Sequence, residues 1–377
     1  MVTHLYGILG VILDRTFGNI IRMLRVIRLP KEERGHLSWT FVGTLAVILA
    51  YGLIMMFSAS YSSGYTNHGG NIYYFIKPQA IVAAVGFVVM LGVSLINYRA
   101  LRYMFWTFYV ITLALLVLAL FMPSDNNGCY RWVYLPGGMS LQPSELSKVC
   151  FVYAGASTMD RIMNKRNLIL FIAYSVVICG LLALMNDFGT ALIFFCAFLI
   201  IAYLRSGSMG TIALACTALG FAGVLALRIA PHALSRFATW RHIWDDPFNS
   251  GYQQTQAIMC IASGGLFGLG PGNGYLQKVF AADSDIVFAT VSEEWGLLVA
   301  VQMVLAISAL GLFAIRTSRV SRGSFYCIGG CTAAGILLIQ ASLNCLGTVD
   351  ILPFTGVTFP FLSNGGTSMI GAWGLLA

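Results

Sequence analysis

From Trp39 to Val349 the chain repeats one pattern: long, nearly uncharged apolar runs closed off by short polar segments. A run of about 20 apolar residues spans the hydrocarbon core of a bilayer as one helix. Within lipid every backbone N–H and C=O must find its partner inside the chain, so only helices and closed barrels span. These runs are continuous where barrel strands would alternate, which selects helices. Of 377 residues, 58% are hydrophobic and 10% charged, with mean hydropathy +0.80. Soluble domains carry about 45–50% apolar and about 25% charged residues, so a water-soluble enzyme is excluded, and so is a disordered chain. The expected fold class is an all-α polytopic membrane protein with about ten transmembrane helices.

The runs are Trp39–Ser58, Tyr74–Ile96, Met104–Met122, Leu146–Met159, Leu168–Met185, Thr190–Leu204, Met209–Ile229, Ile286–Ile315 and Phe325–Val349. A tenth begins near Thr367 and reaches Ala377. At 1.5 Å per residue it rises roughly 17 Å, about half a bilayer core. The tenth helix is therefore expected to be incomplete and the chain cut short.

The net charge of +8 is explained by topology. With the N-terminus cytoplasmic, the inner segments hold 15 of the 22 basic residues and four of the 14 acids, from Arg15 to Arg322, as the positive-inside rule requires. No basic stretch interleaved with aromatics lies in a soluble segment, so nucleic acid is set aside as a partner. Residues 1–36 read as a cytoplasmic segment and 37–377 as the transmembrane domain. Within the first, Leu5, Ile8, Leu9, Ile12, Leu13, Phe17, Ile20, Ile21, Leu24 and Ile27 recur at helical spacing before Pro30. That pattern predicts an amphipathic helix lying on the inner leaflet. No cleavable signal peptide is recognisable. The nine cysteines include Cys129 in a polar loop, while most lie in apolar runs, and they form neither a CxxC nor a disulfide framework.

Three outer segments break the rhythm: Pro123–Glu145, Pro231–Asp285 and Asp350–Gly366. The second runs to about 55 residues, where loops usually take about 4–6. Long loops on one face of a helical scaffold are where function concentrates, so the chemistry is expected on the extracytoplasmic side.

Asp285 opens the eighth run, with Glu293 and Glu294 two turns deeper. As an N-cap it would be ordinary; as a carboxylate at the water–membrane boundary it is a candidate general base. Acids within a span are costly and usually face a cavity or a partner, which marks Glu293 and Glu294. The glycine-rich stretch Gly264–Gly274 lacks the strand and the Lys-Ser/Thr pair of a phosphate loop. It reads as a flexible turn, or as backbone N–H groups near Lys278 able to bind a lipid pyrophosphate. Pro143 and Glu145 suit a helix start. Glu145 and Lys148 are spaced for an intrahelical ion pair, which would also suit a polar cavity. Asp187 fits a tight turn. Two prolines and three glycines between Pro353 and Ser368 predict a re-entrant or broken-helix element, tolerated only where protein or a cavity lines it.

Taken in order, these pieces resemble the SEDS family (FtsW, RodA and SpoVE). They are Arg131–Trp132, Gln142–Lys148 (QPSELSK), Asp187–Ala191 (DFGTA), RFATW from Arg236, Asp246–Pro247, Gly251–Ala257 (GYQQTQA), Ser263–Gly268 (SGGLFG), Ser284–Gly296 (SDIVFATVSEEWG) and Pro353–Ser368 (PFTGVTFPFLSNGGTS). They cover about 240 residues. The chain departs from the family pattern at Asn186, at Ala281-Ala282-Asp283 and at Asn364. Asp283 thereby offers a second carboxylate beside Asp285.

The resemblance implies a peptidoglycan glycosyltransferase of the bacterial plasma membrane, acting in division, elongation or sporulation. The GlcNAc 4-hydroxyl of one lipid II would attack the anomeric carbon of the lipid-linked donor, with inversion and release of undecaprenyl pyrophosphate. Asp285 matches the family's essential base. Arg131, Glu145, Lys148, Asp187, Arg236, Gln256, Lys278, Glu293, Glu294 and Ser363 are the expected substrate-binding residues, with Arg236, Lys148 and Lys278 stabilising the leaving pyrophosphate. No residue is assigned to a metal; a divalent cation, Mg or Mn, stays open as a cofactor. The implied partner is a class B penicillin-binding protein, a transpeptidase. The alternatives are a lipid II flippase, in which Glu293, Glu294 and the broken element would serve translocation, and a non-catalytic scaffold of the division or elongation complex. The 55-residue outer loop favours the polymerase, and the absence of an evident inverted repeat weakens the transporter.

Overall fold

A computed structural model of the protein describes residues 42–54, 57, 73, 75–96, 101, 104–123, 130–134, 140–160, 165–229, 231–320 and 323–377. The N-terminal amphipathic segment, the 36/37 boundary and Cys129 lie outside the described residues. The chain forms α1 (Val42–Ile54), α2 (Ile76–Ser94) and α3 (Phe105–Leu120). A short antiparallel ribbon follows, β1 (Val133–Tyr134) and β2 (Ser140–Leu141), with Val133 opposite Leu141. Next come α4 (Pro143–Met159), α5 (Lys165–Leu184), α6 (Phe188–Ser206) and α7 (Met209–Ile229). The long outer segment contributes α8 (Pro231–Thr239), α9 (Tyr252–Gly264) and a 3-10 turn at Leu276–Lys278. The chain continues through α10 (Val287–Glu294), α11 (Leu297–Val320), α12 (Ser324–Thr348) and α13 (Gly366–Leu376). Among the described residues, five helical stretches are long and apolar enough to cross a membrane: Ile76–Ser94, Arg166–Leu184, Phe188–Ser206, Leu297–Ser318 and Ser324–Thr348. The protein is an all-α polytopic membrane protein.

Local signals set several ends. Pro143 sits in the first turn of α4, where its missing N–H costs nothing, and Glu145 follows in the same turn. Asp187 caps α6 by accepting the Thr190 N–H, and Gly207, at φ 63°, ends it.

Two expectations are corrected. Ile286–Ile315 is not one helix: it breaks at Trp295–Gly296, where Gly296 takes φ +88°. That angle cannot continue a right-handed helix. The first N–H groups of α11 are instead taken by loop carbonyls, Leu297 by Gly265 and Leu298 by Leu266. All eight residues of α10 are buried. Asp285 is not the cap either, because Ile286 holds that position and no side chain caps α10.

Two packed groups of helices share α12, whose membrane-spanning window is 61% buried. One group joins α3, α4, α5 and α6 around Leu116, Phe151, Phe171, Ile178 and Phe194. The other joins α1, α2, α10, α11 and α13 around Ile48, Val291, Ile307, Phe361 and Trp373. In lipid such contacts stabilise through dispersion and close fit, since acyl chains are as apolar as leucine. The irregular segment 351–365 contributes Val357 to the first group and Phe359, Phe361 and Leu362 to the second. It is thus anchored in both groups by its buried side chains, while Gly356 to Thr358, Asn364 and Gly365 line a cavity.

Candidate active site

α4, α6 and α13 all begin at one end of the bundle, and there a cavity of about 400 Å3 opens at the seam between the two packed groups. Arg131, Glu145, Asp187 and Thr190 line it from one group. Asp283, Ser284, Asp285, Asn364, Thr367 and Ser368 line it from the other side, with Gly356 to Thr358. Four carboxyl groups and an arginine therefore share one small space.

The backbone carrying Asp285 is pinned from three directions. Asn344 of α12 donates from Nδ2 to the carbonyls of both Asp285 and Val357, each at 2.8 Å. Ser363 Oγ donates to the Ser284 carbonyl at 2.6 Å and accepts the Phe359 N–H at 2.7 Å. Asn364 donates from its backbone N–H to the Asp283 carbonyl and from Nδ2 to the Asp283 carboxylate. Backbone held this way has little conformational freedom left to lose.

Enclosure pushes the Asp285 pKa up to about 6. Burial is the largest cause; the Ser284 hydroxyl and the Arg131 and Arg236 guanidiniums oppose it, and the Asp283 carboxylate adds to it. The side chain nevertheless keeps partial exposure toward the cavity. Gly356 lies against it with φ +63°, and a Cβ there would stand 3.0 Å from Asp285 Oδ2 and 3.9 Å from Arg236 Nη1. Arg236 also donates to the Phe354 carbonyl at 3.4 Å.

The other expected site residues divide. Lys148 does not line the cavity; its ammonium is buried and meets Oε2 of Glu145, which does line it, at 2.8 Å. Asp187 spends Oδ1 on the α6 cap, leaving a buried Oδ2 with no hydrogen-bond partner among the described residues. Glu293 lies away from the cavity and accepts the N–H groups of Tyr275 and Leu276 at 2.8 and 2.9 Å. Glu294 accepts from Gln277 Nε2. Both buried acids therefore fix the loop after α9. Lys278 is exposed, its ammonium 5.0 Å from the Tyr275 ring centre and outside the cavity lining. Gln256 is half-buried on α9 and Ser363 is buried behind the wall. Among the described residues no three His, Cys, Asp or Glu side chains gather to hold a metal ion.

Sequence reasoning missed the hydroxyls of Thr190, Thr358, Thr367 and Ser368. Thr358 and Ser368 hydrogen-bond each other at 2.9 Å. All four stand in quoted motifs, yet nothing in their spacing shows that these segments converge.

A family model described as a cell cycle protein, for FtsW, RodA and SpoVE, matches residues 38–377. Peptidoglycan glycosyltransferase RodA of Mycobacterium tuberculosis is 31% identical over 273 residues, 67% of this chain. The match spans 57% of the length of that relative. The probable peptidoglycan glycosyltransferase FtsW of Alkalilimnicola ehrlichii is 30% identical over 368 residues, 92% of this chain and 90% of that one. A chain from a peptidoglycan synthase complex that coordinates polymerization and crosslinking shares the fold with a TM-score of 0.73 at 21% identity, covering 90% of this chain and 95% of that one. The crystal structure of the rod shape determining protein RodA of Thermus thermophilus does so with 0.63 at 23% identity, covering 90% and 94%. On the reach of the family model, supported by the shared fold, the chain belongs to the FtsW/RodA/SpoVE family of membrane proteins.

Proposed function

We propose that this protein polymerises peptidoglycan glycan strands from lipid II, with Asp285 as general base. The observation that carries the reading is Asp285 itself. It is an enclosed carboxyl with a pKa near 6, facing a polar cavity and flanked by Arg131 and Arg236. A base titrating near working pH combines the right protonation state with useful basicity.

In the proposed step the acceptor's 4-hydroxyl oxygen bonds to the donor's anomeric carbon. The hydroxyl proton passes to the Asp285 carboxylate, and the bond from that carbon to the pyrophosphate oxygen breaks. Inversion needs one displacement and no covalent intermediate. Undecaprenyl pyrophosphate leaves with its negative charge, which Arg131 and Arg236 are positioned to offset. Arg131 thus takes the part the sequence reading gave to Lys148 and Lys278. Asp187 Oδ2 and the hydroxyls of Thr190 and Thr367 supply hydrogen-bonding groups for sugar. The site faces the extracytoplasmic side, the N-terminus is cytoplasmic, and a class B penicillin-binding protein is the partner. The names of the relatives and the synthase complex with a similar chain support this reading.

The test is polymerisation of lipid II by the purified protein, resolved as glycan ladders. Asp285→Asn should lower the rate at least about a hundredfold, within the range general acid–base catalysis contributes, with thermal unfolding intact. Full activity in that variant sinks the base assignment. Translocation of lipid II across vesicles without any polymer would favour the flippase instead.

A further inference from the structure

The turn after α9 is an apolar tip with no evident place in the catalytic reading. From Pro247 to Gln277 the chain carries no charged residue, an unusual length for a loop meant to lie in water. At its turn, Leu266 is 55% exposed, Phe267 81% and Leu269 46%.

The tip is rigid. Gly268 N–H donates to the Gly264 carbonyl at 2.8 Å, Leu269 N–H to Glu293 at 2.9 Å and Gly270 N–H to Glu294 at 3.0 Å. Gly268 adopts φ +81°, and a Cβ there would stand 2.3 Å from the Glu294 carbonyl oxygen. The exposure of Phe267 is therefore fixed by the fold.

What covers the tip follows from its neighbour. α11 is a membrane-spanning helix, and Leu298, Val301, Leu305 and Leu312 form an exposed stripe along it. Their spacing of three, four and seven residues keeps them on one helix face. The Leu298 N–H reaches the Leu266 carbonyl at 3.4 Å, so the tip begins where the stripe ends. The outward face of a spanning helix meets acyl chains, and a surface continuous with it enters the same medium.

We propose that the Leu266–Leu269 turn inserts into the bilayer, with Phe267 as its deepest side chain, and docks the loop leading to Asp285 onto the lipid surface. The partner is the acyl region just below the headgroups, where apolar groups of interfacial elements settle about 5–10 Å deep. The rigid turn meets it without an ordering cost. Nothing in this contact depends on the chemistry at Asp285, so it stands or falls separately from the proposed activity.

The experiment places an environment-sensitive fluorescent amino acid at position 267 by stop-codon suppression. The full chain is reconstituted into nanodiscs of phosphatidylethanolamine and phosphatidylglycerol. A second sample carries the label at position 305 as a depth reference. Lipids bearing a nitroxide high on the acyl chain should quench the label at 267 about threefold more than aqueous iodide does, as burial at the headgroup–acyl boundary requires. The label at 305 should respond best to a nitroxide near the chain's methyl end. Quenching at 267 by iodide but not by lipid nitroxides would place the turn in water and overturn the proposal. Protection from both would mean that protein covers it, and would overturn the proposal equally.

Discussion

Asn364 holds Asp283 twice, donating from Nδ2 to the carboxylate at 2.7 Å and from its backbone N–H to the carbonyl at 2.8 Å. The clamp spans 81 residues of sequence and fixes a second negative group beside Asp285. Asp283 is one of the influences that raise the Asp285 pKa, against Arg131, Arg236 and the Ser284 hydroxyl. If Asp285 is the base, polymerisation should fall as pH drops through about 6. Asp283→Asn should move that acid limb to lower pH while leaving the protein folded. An unmoved limb in a variant that still polymerises would mean that Asp283 does not set the basicity of Asp285.

The same raised pKa makes a prediction about stability. The folded protein holds the Asp285 proton to higher pH than the unfolded chain, whose ordinary value is 3.8. The favourable contribution is complete below that value and is lost as pH rises to about 6, after which it levels off. At about 1.4 kcal/mol per pH unit the loss is roughly 3 kcal/mol at most. Asp285→Asn removes this dependence. Thermal unfolding in detergent should therefore show the variant more stable than wild type at pH about 8, with the gap closing toward pH about 4. A gap independent of pH would refute the linkage.

Breaking the Glu145–Lys148 pair should be costly, since both side chains are buried and 2.8 Å apart. Lys148→Met leaves an uncompensated carboxylate and should destabilise the fold by about 3–5 kcal/mol. Adding Glu145→Gln should recover much of that loss, measured by denaturation of the single and double variants. A double variant as unstable as Lys148→Met alone would show that packing, and not charge, dominates there.

Gly356→Ala tests the space beside the carboxylate. The left-handed φ of +63° costs a non-glycine residue about 1–2 kcal/mol. The new methyl would also stand 3.0 Å from Asp285 Oδ2. We expect a modest fall in melting temperature and a loss of polymerisation of about tenfold or more, since small displacements of a catalytic group are expensive. An unchanged turnover would mean that sugar does not approach from the Gly356 side.

The sequence revealed the scaffold because lipid imposes a coarse rule. Apolar runs such as Phe325–Val349 have few ways to satisfy their backbone, and α12 lies within one residue of that range at each end. Gly296 was harder, since a lone glycine in an apolar run does not announce φ +88°, and the run resumes at once with Leu297. Glu293 and Glu294 were marked as acids that need a cavity or a partner and were expected to bind substrate; both are buried away from the cavity. Those partners turned out to be loop groups at Tyr275, Leu276 and Gln277, which only the chain reversal after α9 brings near. Asp285 stood out through its motif. The Asn344 bond to its carbonyl did not, since it joins positions 59 residues apart.

The cavity's opposite walls belong to two packed groups joined by α12, by the segment 351–365 and by the Gln142 N–H, which donates to Thr367 Oγ1 at 3.2 Å. Close-packed interiors resist deformation, so these cross-ties set the width of the mouth. Asp285, tethered to the shared helix through Asn344, belongs to the same stiff frame.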